Sequence, residues 1–184
     1  MALRARDVAL IDALDGRTGL SIKEDVWRIT REGRDATDCT SSGGRWDDGT
    51  FDVLYTSRTR DCVIAEMEFH LRRGQPLIPS KPKFLIYQLH ISLENILDLS
   101  SLDALAALGL DLDAFGRISY VGHRSEYPRT QEIAEVANFL GFDGLLVPSA
   151  RQNGVNVVVF CDRTAPDQVE IKKCFGPIDW SASR

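Results

Sequence analysis

Two apolar runs, GLLVPS (144–149) and VNVVVF (155–160), stand on either side of Asn153-Gly154. An Asn-Gly pair tolerates the positive φ values of a tight hairpin turn, so the second run is set to pair back on the first. Short valine-rich runs bounded by turn residues read as buried strands. Further strands are predicted over DVWRIT (25–30), FDVLYT (51–56), KFLIYQLHI (83–91) and QVEIKKCF (168–175), the third apolar on both faces and hence interior. Helical patterns fall over 3–15, over Thr59 to Arg72, over 101–109 and over 130–140, the last with Thr130 as cap and Gly141 as stop. Strands and helices mix without regular βαβ alternation, so the expected fold is α+β, with small, mainly antiparallel sheets flanked by helices. Gly74, Pro76, Pro79 and Pro82 mark an extended connection, and residues 111–128 are polar and irregular.

The chain of 184 residues fits one domain, with enough length to bury a core. Its 43% hydrophobic and 27% charged residues are those of an ordinary globular protein. A net charge of −5 argues against duplex nucleic acid as a partner, while leaving room for a local basic pocket. Cys39, Cys62, Cys161 and Cys174 show no C-x-x-C pair or regular spacing, so reduced thiols are expected. Asp7 and Asp12 interrupt the N-terminal apolar stretch, which excludes a signal-peptide core, and no run has the length of a membrane span. The expectation is a soluble cytoplasmic protein.

The stretch from Gly43 to His70 carries the chemistry: a Gly-Gly pair, Arg45 and Trp46, a polar turn, a strand ending at Tyr55, and a helix bearing Glu66 and His70. An arginine on a glycine-shaped backbone, an aromatic ring at a strand end and a nearby carboxylate suit a phosphate-bearing nucleoside. On the helix, Val63, Ile64, Met67 and Leu71 form one apolar arc. Glu66 lies at the edge of that arc and His70 within it, and a carboxylate beside a buried stripe is partly desolvated. Glu68 lies at the opposite edge. Glu66 and His70 have helix-pair spacing, but no H-E-x-x-H or second ligand cluster accompanies them, so no metal is expected. Ser149 with His123 lacks the G-x-S-x-G elbow of a serine nucleophile. Gly43-Gly44 matches neither G-x-G-x-x-G nor a P-loop. Arg28 shares a strand face with Val26, which reads either as an edge strand with its arginine in solvent or as a functional arginine.

The combination is more specific than its parts. WRIT with Arg28, GGRW (Gly43 to Trp46), LYTS (Leu54 to Ser57), Glu66 within AEMEFH, and FLGFDGLLVPSA (Phe139 to Ala150) followed by Asn156 together resemble the RES domain family, toxins of Xre–RES toxin–antitoxin pairs. The resemblance spans residues 25–160, and residues 1–24 form an N-terminal helical extension to a single RES-type domain over 1–184. Family members commonly have Asn where this chain has Asp47, which adds a negative charge near the site. The resemblance implies a fold similar to ADP-ribosyltransferases, with NAD in a cleft as substrate rather than cofactor. It implies destruction of NAD by hydrolysis or phosphorolysis, and a partner antitoxin of Xre type whose C-terminal region covers the active site. A homodimer is a further expectation.

On that resemblance Glu66 and Arg28 are the expected catalytic residues, Glu66 bonding the ribose hydroxyls and stabilising positive charge. Arg28 and Arg45 grip the pyrophosphate, Tyr55 stacks on nicotinamide or ribose, and Ser149 donates to a phosphate or to the carboxamide. His70 either orients Glu66 or is a buried structural histidine. A protein ADP-ribosyltransferase, a non-catalytic NAD-binding module and an unrelated small-molecule hydrolase are the competing classes.

Overall fold

The computed structural model describes residues 6–72, 83–116 and 123–180. Elements follow in the order α1 (Val8–Asp15), β1 (Leu20–Arg31), β2 (Val53–Ser57), α2 (Arg60–Leu71), β3 (Phe84–Asp98), α3 (Leu102–Ala107), α4 (His123–Phe139), β4 (Gly144–Pro148), β5 (Val155–Phe160) and β6 (Val169–Pro177). The expected prolyl connection at 74–82 and residues 117–122 of the irregular stretch lie outside the described residues.

The fold is α+β, as expected, but its strands make one sheet rather than several. The order is β1-β2-β5-β4-β3-β6, and β1 also pairs with β3, so the sheet curls into a barrel-like form. All pairings are antiparallel except β3 with β4. β4 and β5 pair as an antiparallel hairpin, as expected, with Pro148 opposite Val155 and Gly144 opposite Val159. Its connection is the six-residue loop 149–154 rather than a tight Asn-Gly turn, since neither Asn153 nor Gly154 has positive φ. β3 runs seven residues past the expected end at Ile91 and reaches Asp98. Ser92, Glu94 and Asn95 hide it from a composition-based reading, yet Leu89, Ile91 and Leu93 are buried in strict alternation. That length lets β3 pair with β1, β6 and β4 together.

Curling divides the core. Val26, Leu54, Leu89, Ile91, Leu146, Val157 and Val159 fill the inside of the curled sheet. Outside it, Leu10 and Leu14 of α1 and Ile133 and Ala137 of α4 pack with Val158 and Phe160 of β5. α2 covers a third patch, where Val63, Ile64 and Met67 meet Ile29 and Ile86. Thr59 caps α2, its hydroxyl accepting the Cys62 N–H at 3.3 Å. This packing of α2 on β1 fixes which way Glu66 points.

Two expectations are corrected. α4 begins at His123 rather than Thr130 and runs through Pro128, so Thr130 is a fully buried interior residue. Its hydroxyl donates to the Tyr127 carbonyl at 3.0 Å, the i−3 back-bond open to threonine inside a helix. The cysteines are not all reduced: Cys39 and Cys161 form a disulfide across 122 positions, while Cys62 and Cys174 are free. The Thr40–Val53 bridge and the hydrogen bond from Cys161 N to Asp52 O bring the two thiols together, a juxtaposition with no local signature. No helix among the described residues is long and apolar enough to cross a membrane.

Candidate active site

A cavity of about 400 Å³ opens between the loop at 42–46, β2, α2 and the turn after β4. Its loop wall is built on Asp47, which is fully buried. One carboxylate oxygen accepts from Gly43 N at 2.6 Å, and the other accepts from Gly44 N at 2.7 Å and from the Tyr55 hydroxyl at 2.9 Å. The same hydroxyl accepts from Trp46 N at 2.9 Å. Gln131 of α4 donates to the carbonyls of Gly44 and Asp47 at 2.8 and 2.9 Å, which fastens the loop from behind. Both glycines are required. Gly43 sits at φ +79°, and a Cβ on Gly44 would fall 2.6 Å from the Tyr55 hydroxyl.

Asp47 therefore does not present its charge to the cavity, contrary to expectation; backbone N–H groups and a phenol absorb it. Tyr55 is likewise a pillar of the loop as well as a wall of the cavity. Burial, then Asp47, pushes its phenol well above the usual tyrosine range, so the hydroxyl stays protonated and keeps donating.

Arg45, raised on this loop, lines the cavity between two rings, with its guanidinium 5.0 Å from the centroids of Phe115 and Tyr127. Burial lowers its pKa, and Tyr127 and Glu66 oppose that shift.

Glu66 stands on the facing wall. One carboxylate oxygen accepts from the Ser149 hydroxyl at 2.8 Å, from Ala150 N at 3.2 Å and from the Asn156 amide at 3.2 Å. Asn156 is itself held by a hydrogen bond from the Ser57 hydroxyl. The other oxygen lies 4.0 Å from Arg151 Nε. By contrast Glu68 pairs with Arg72 one turn on, and neither lines the cavity.

Ser149, expected to contact ligand, instead orients Glu66. It follows Pro148 into a turn where its oxygen also accepts from Arg151 N and Gln152 N, which draws it behind the wall. His70 is exposed at the cavity rim beside the Phe69 ring, so it is not a buried structural histidine. Glu66 accepts hydrogen bonds from Ser149, Ala150 and Asn156.

Arg28 does not line this cavity. Strand alternation turns Ile29 toward the cavity and α2, and Arg28 to the opposite face of β1, off the cavity wall. Nor is it in solvent: one guanidinium nitrogen donates to the Asp38 carbonyl at 2.6 Å, and Nη1 is buried with no hydrogen-bond partner. Burial pushes its pKa down to about 10, with Asp38 and Asp35 opposing. Because the folded pKa is lowered, the unfolded chain holds more protons above about pH 10; the cost of burying this charge is complete below about 10 and falls away as pH rises above it. Arg28→Met is therefore expected to change stability by no more than about 1–2 kcal/mol, in either direction, in urea unfolding at neutral pH. A loss of several kcal/mol would show that Asp35 and Asp38 pair the charge effectively.

Sequence reasoning missed Asp47 and Gln131 as loop holders and Arg151 as a cavity residue. Only Arg151 carried a signal: a cation two residues past Ser149 in a turn.

The site of this α+β domain is thus one hydrogen-bonded carboxylate and two arginines lining a single cavity. The chain belongs to the RES domain family, whose model matches residues 25–181. It is similar to the NAD(+) phosphorylase MbcT of Mycobacterium bovis and that of Mycobacterium tuberculosis, each 28% identical over 178 residues, covering 92% of this chain and 90% of the relative. Its fold is that of the M. tuberculosis MbcT–MbcA toxin–antitoxin complex, with a TM-score of 0.81 at 23% identity over 97% of this chain and 96% of the other.

Proposed function

We propose that this protein is a toxin that depletes NAD by breaking the bond between nicotinamide and ribose. The arrangement that carries the reading is Glu66, half-buried and held by three donors, lining one cavity with Arg151 beside it and Arg45 on the loop wall. Similarity to an NAD(+) phosphorylase supports the substrate and favours phosphate over water as acceptor.

The chemistry fits these residues. Cleavage passes through an oxocarbenium-like state at the ribose, which a fixed carboxylate stabilises. Nicotinamide departs from a cationic ring and takes the bonding electron pair as a neutral molecule, so no acid is needed to protonate it. One carboxylate suffices. Ser149, Ala150 N and Asn156 hold Glu66 in a single orientation beneath the sugar. Arg45 reaches the pyrophosphate with a planar, charge-assisted fork, and the Tyr55 ring offers a face to nicotinamide or ribose. The curled sheet is read as ADP-ribosyltransferase-like, and the protein as cytoplasmic, acting alone or as a homodimer. An Xre-type antitoxin whose C-terminal region fills the cavity is the proposed partner, consistent with a fold shared with a toxin of a toxin–antitoxin complex.

The test is purified protein with NAD, with and without inorganic phosphate, products resolved by chromatography. Nicotinamide with a phosphorylated ADP-ribose is the expected result, and nicotinamide with ADP-ribose alone makes water the acceptor. Transfer of label from NAD to protein would replace this reading with protein ADP-ribosylation. Unconsumed NAD under every condition would leave a binding module.

A further inference from the structure

Arg151 is half-buried, yet nothing in the fold uses its charge fully. One terminal nitrogen donates to the Gly116 carbonyl, and the guanidinium carbon sits over the Phe69 ring, 3.3 Å from its centroid. Those two contacts clamp the plane of the group. Its Nε is buried without a hydrogen-bond partner, and at 4.0 Å from the Glu66 carboxylate it is too far to donate. A structural ion pair would close that gap, because an unmet buried N–H costs free energy. Instead Glu66 turns one oxygen to three neutral donors, and Arg151 lines the same cavity.

We propose that Arg151 binds the acceptor anion, inorganic phosphate, beside Glu66, and so sets the choice between phosphate and water. This rests on the NAD-cleaving function proposed above. Two guanidinium groups against one carboxylate leave the cavity short of one negative charge, and a phosphate matches the planar edge of an arginine. The site lies next to the carboxylate that stabilises the ribose cation, where a nucleophile must stand. There a phosphate oxygen forms a bond to the ribose C1′ as the C1′–N bond breaks. The broken bond's electron pair passes to the ring nitrogen, neutralising the pyridinium. The attacking oxygen is already deprotonated, so nicotinamide and ADP-ribose 1-phosphate leave without further proton transfer. Arg151 also shields the entering dianion from Glu66, which would otherwise repel it.

The experiment compares wild type, Arg151→Met and Arg151→Lys by initial rates over a range of NAD and inorganic phosphate concentrations. Arg151→Met is expected to raise KM for phosphate about tenfold or more, while KM for NAD moves less than about twofold. Product should shift from ADP-ribose 1-phosphate toward ADP-ribose. Arg151→Lys, which keeps the charge without the planar edge, should fall between and covers the case in which the Met variant fails to fold. An unchanged KM for phosphate, or equal rises for both substrates, overturns the proposal. In parallel, inorganic phosphate alone should raise the melting temperature of wild type and not of Arg151→Met. If wild type consumes no NAD, the function proposed above fails, and the melting shift by itself decides whether the anion site exists.

Discussion

Glu66→Gln is expected to slow NAD cleavage by about 10²–10³-fold while leaving KM for NAD within a few-fold of wild type. The substitution conserves shape. The remaining carbonyl oxygen must take the place of the oxygen that accepts from Ser149, Ala150 N and Asn156, because an amide nitrogen there would face three donors. That fixes the amide orientation, and the side chain stays where the carboxylate was. Ground-state contacts with ribose hydroxyls largely survive; the negative charge opposite the developing oxocarbenium does not. The loss should therefore fall on kcat, read as nicotinamide release at saturating NAD, with thermal unfolding confirming an intact fold. Glu68→Gln is the matched control, since its ion pair with Arg72 lies away from the cavity. A Glu66→Gln enzyme that turns over at the wild-type rate would remove Glu66 from the chemistry.

Local signals in the sequence were legible where chemistry and periodicity coincide. The helix expected from Thr59 to Arg72 forms from Arg60 to Leu71, because a capping threonine and an apolar arc act over a few residues. The arc also separated Glu66 from Glu68, and the two valine-rich runs paired as the expected hairpin, though through a longer loop than an Asn-Gly turn. What failed to show was set by contacts between distant segments. Alternation along 25–30 reveals two faces of a strand but not which one the curled sheet encloses, so the surroundings of Arg28 do not follow from it. The Cys39–Cys161 bridge joins segments that only the folded loop at 32–52 brings together. β3 beyond Ile91 carries polar residues that look like a loop until the pairings with β1 and β4 are known. Asp47 misled for another reason: a charged side chain in a polar turn reads as solvated, since aspartate is seldom fully buried without partners. Its partners are backbone N–H groups, which no side-chain pattern displays.

That burial makes Asp47→Ala the stability change with the largest expected effect, a loss of about 3–5 kcal/mol. Truncation strands Gly43 N, Gly44 N and the Tyr55 hydroxyl in a part-buried loop, each unmet donor costing about 1–3 kcal/mol and the total falling below the sum because the loop relaxes and water reaches part of it. Arg45 stands between two residues tied into this network, Gly44 and Trp46, so relaxation also displaces the cation. KM for NAD should rise with the loss of stability, unlike the Glu66 case, because a misplaced arginine weakens binding in the ground state as well. Asp47→Asn separates charge from geometry. One amide oxygen still accepts from Gly43 or Gly44, but the amide nitrogen must face a donor that now has no acceptor, so a smaller loss of about 1–3 kcal/mol is expected. Urea unfolding of both variants, with KM for NAD measured on the folded protein, gives the comparison. An Asp47→Ala protein as stable as wild type would mean that the Gly-Gly loop holds its shape by other contacts. Loss of stability without a change in KM would instead uncouple the loop from Arg45.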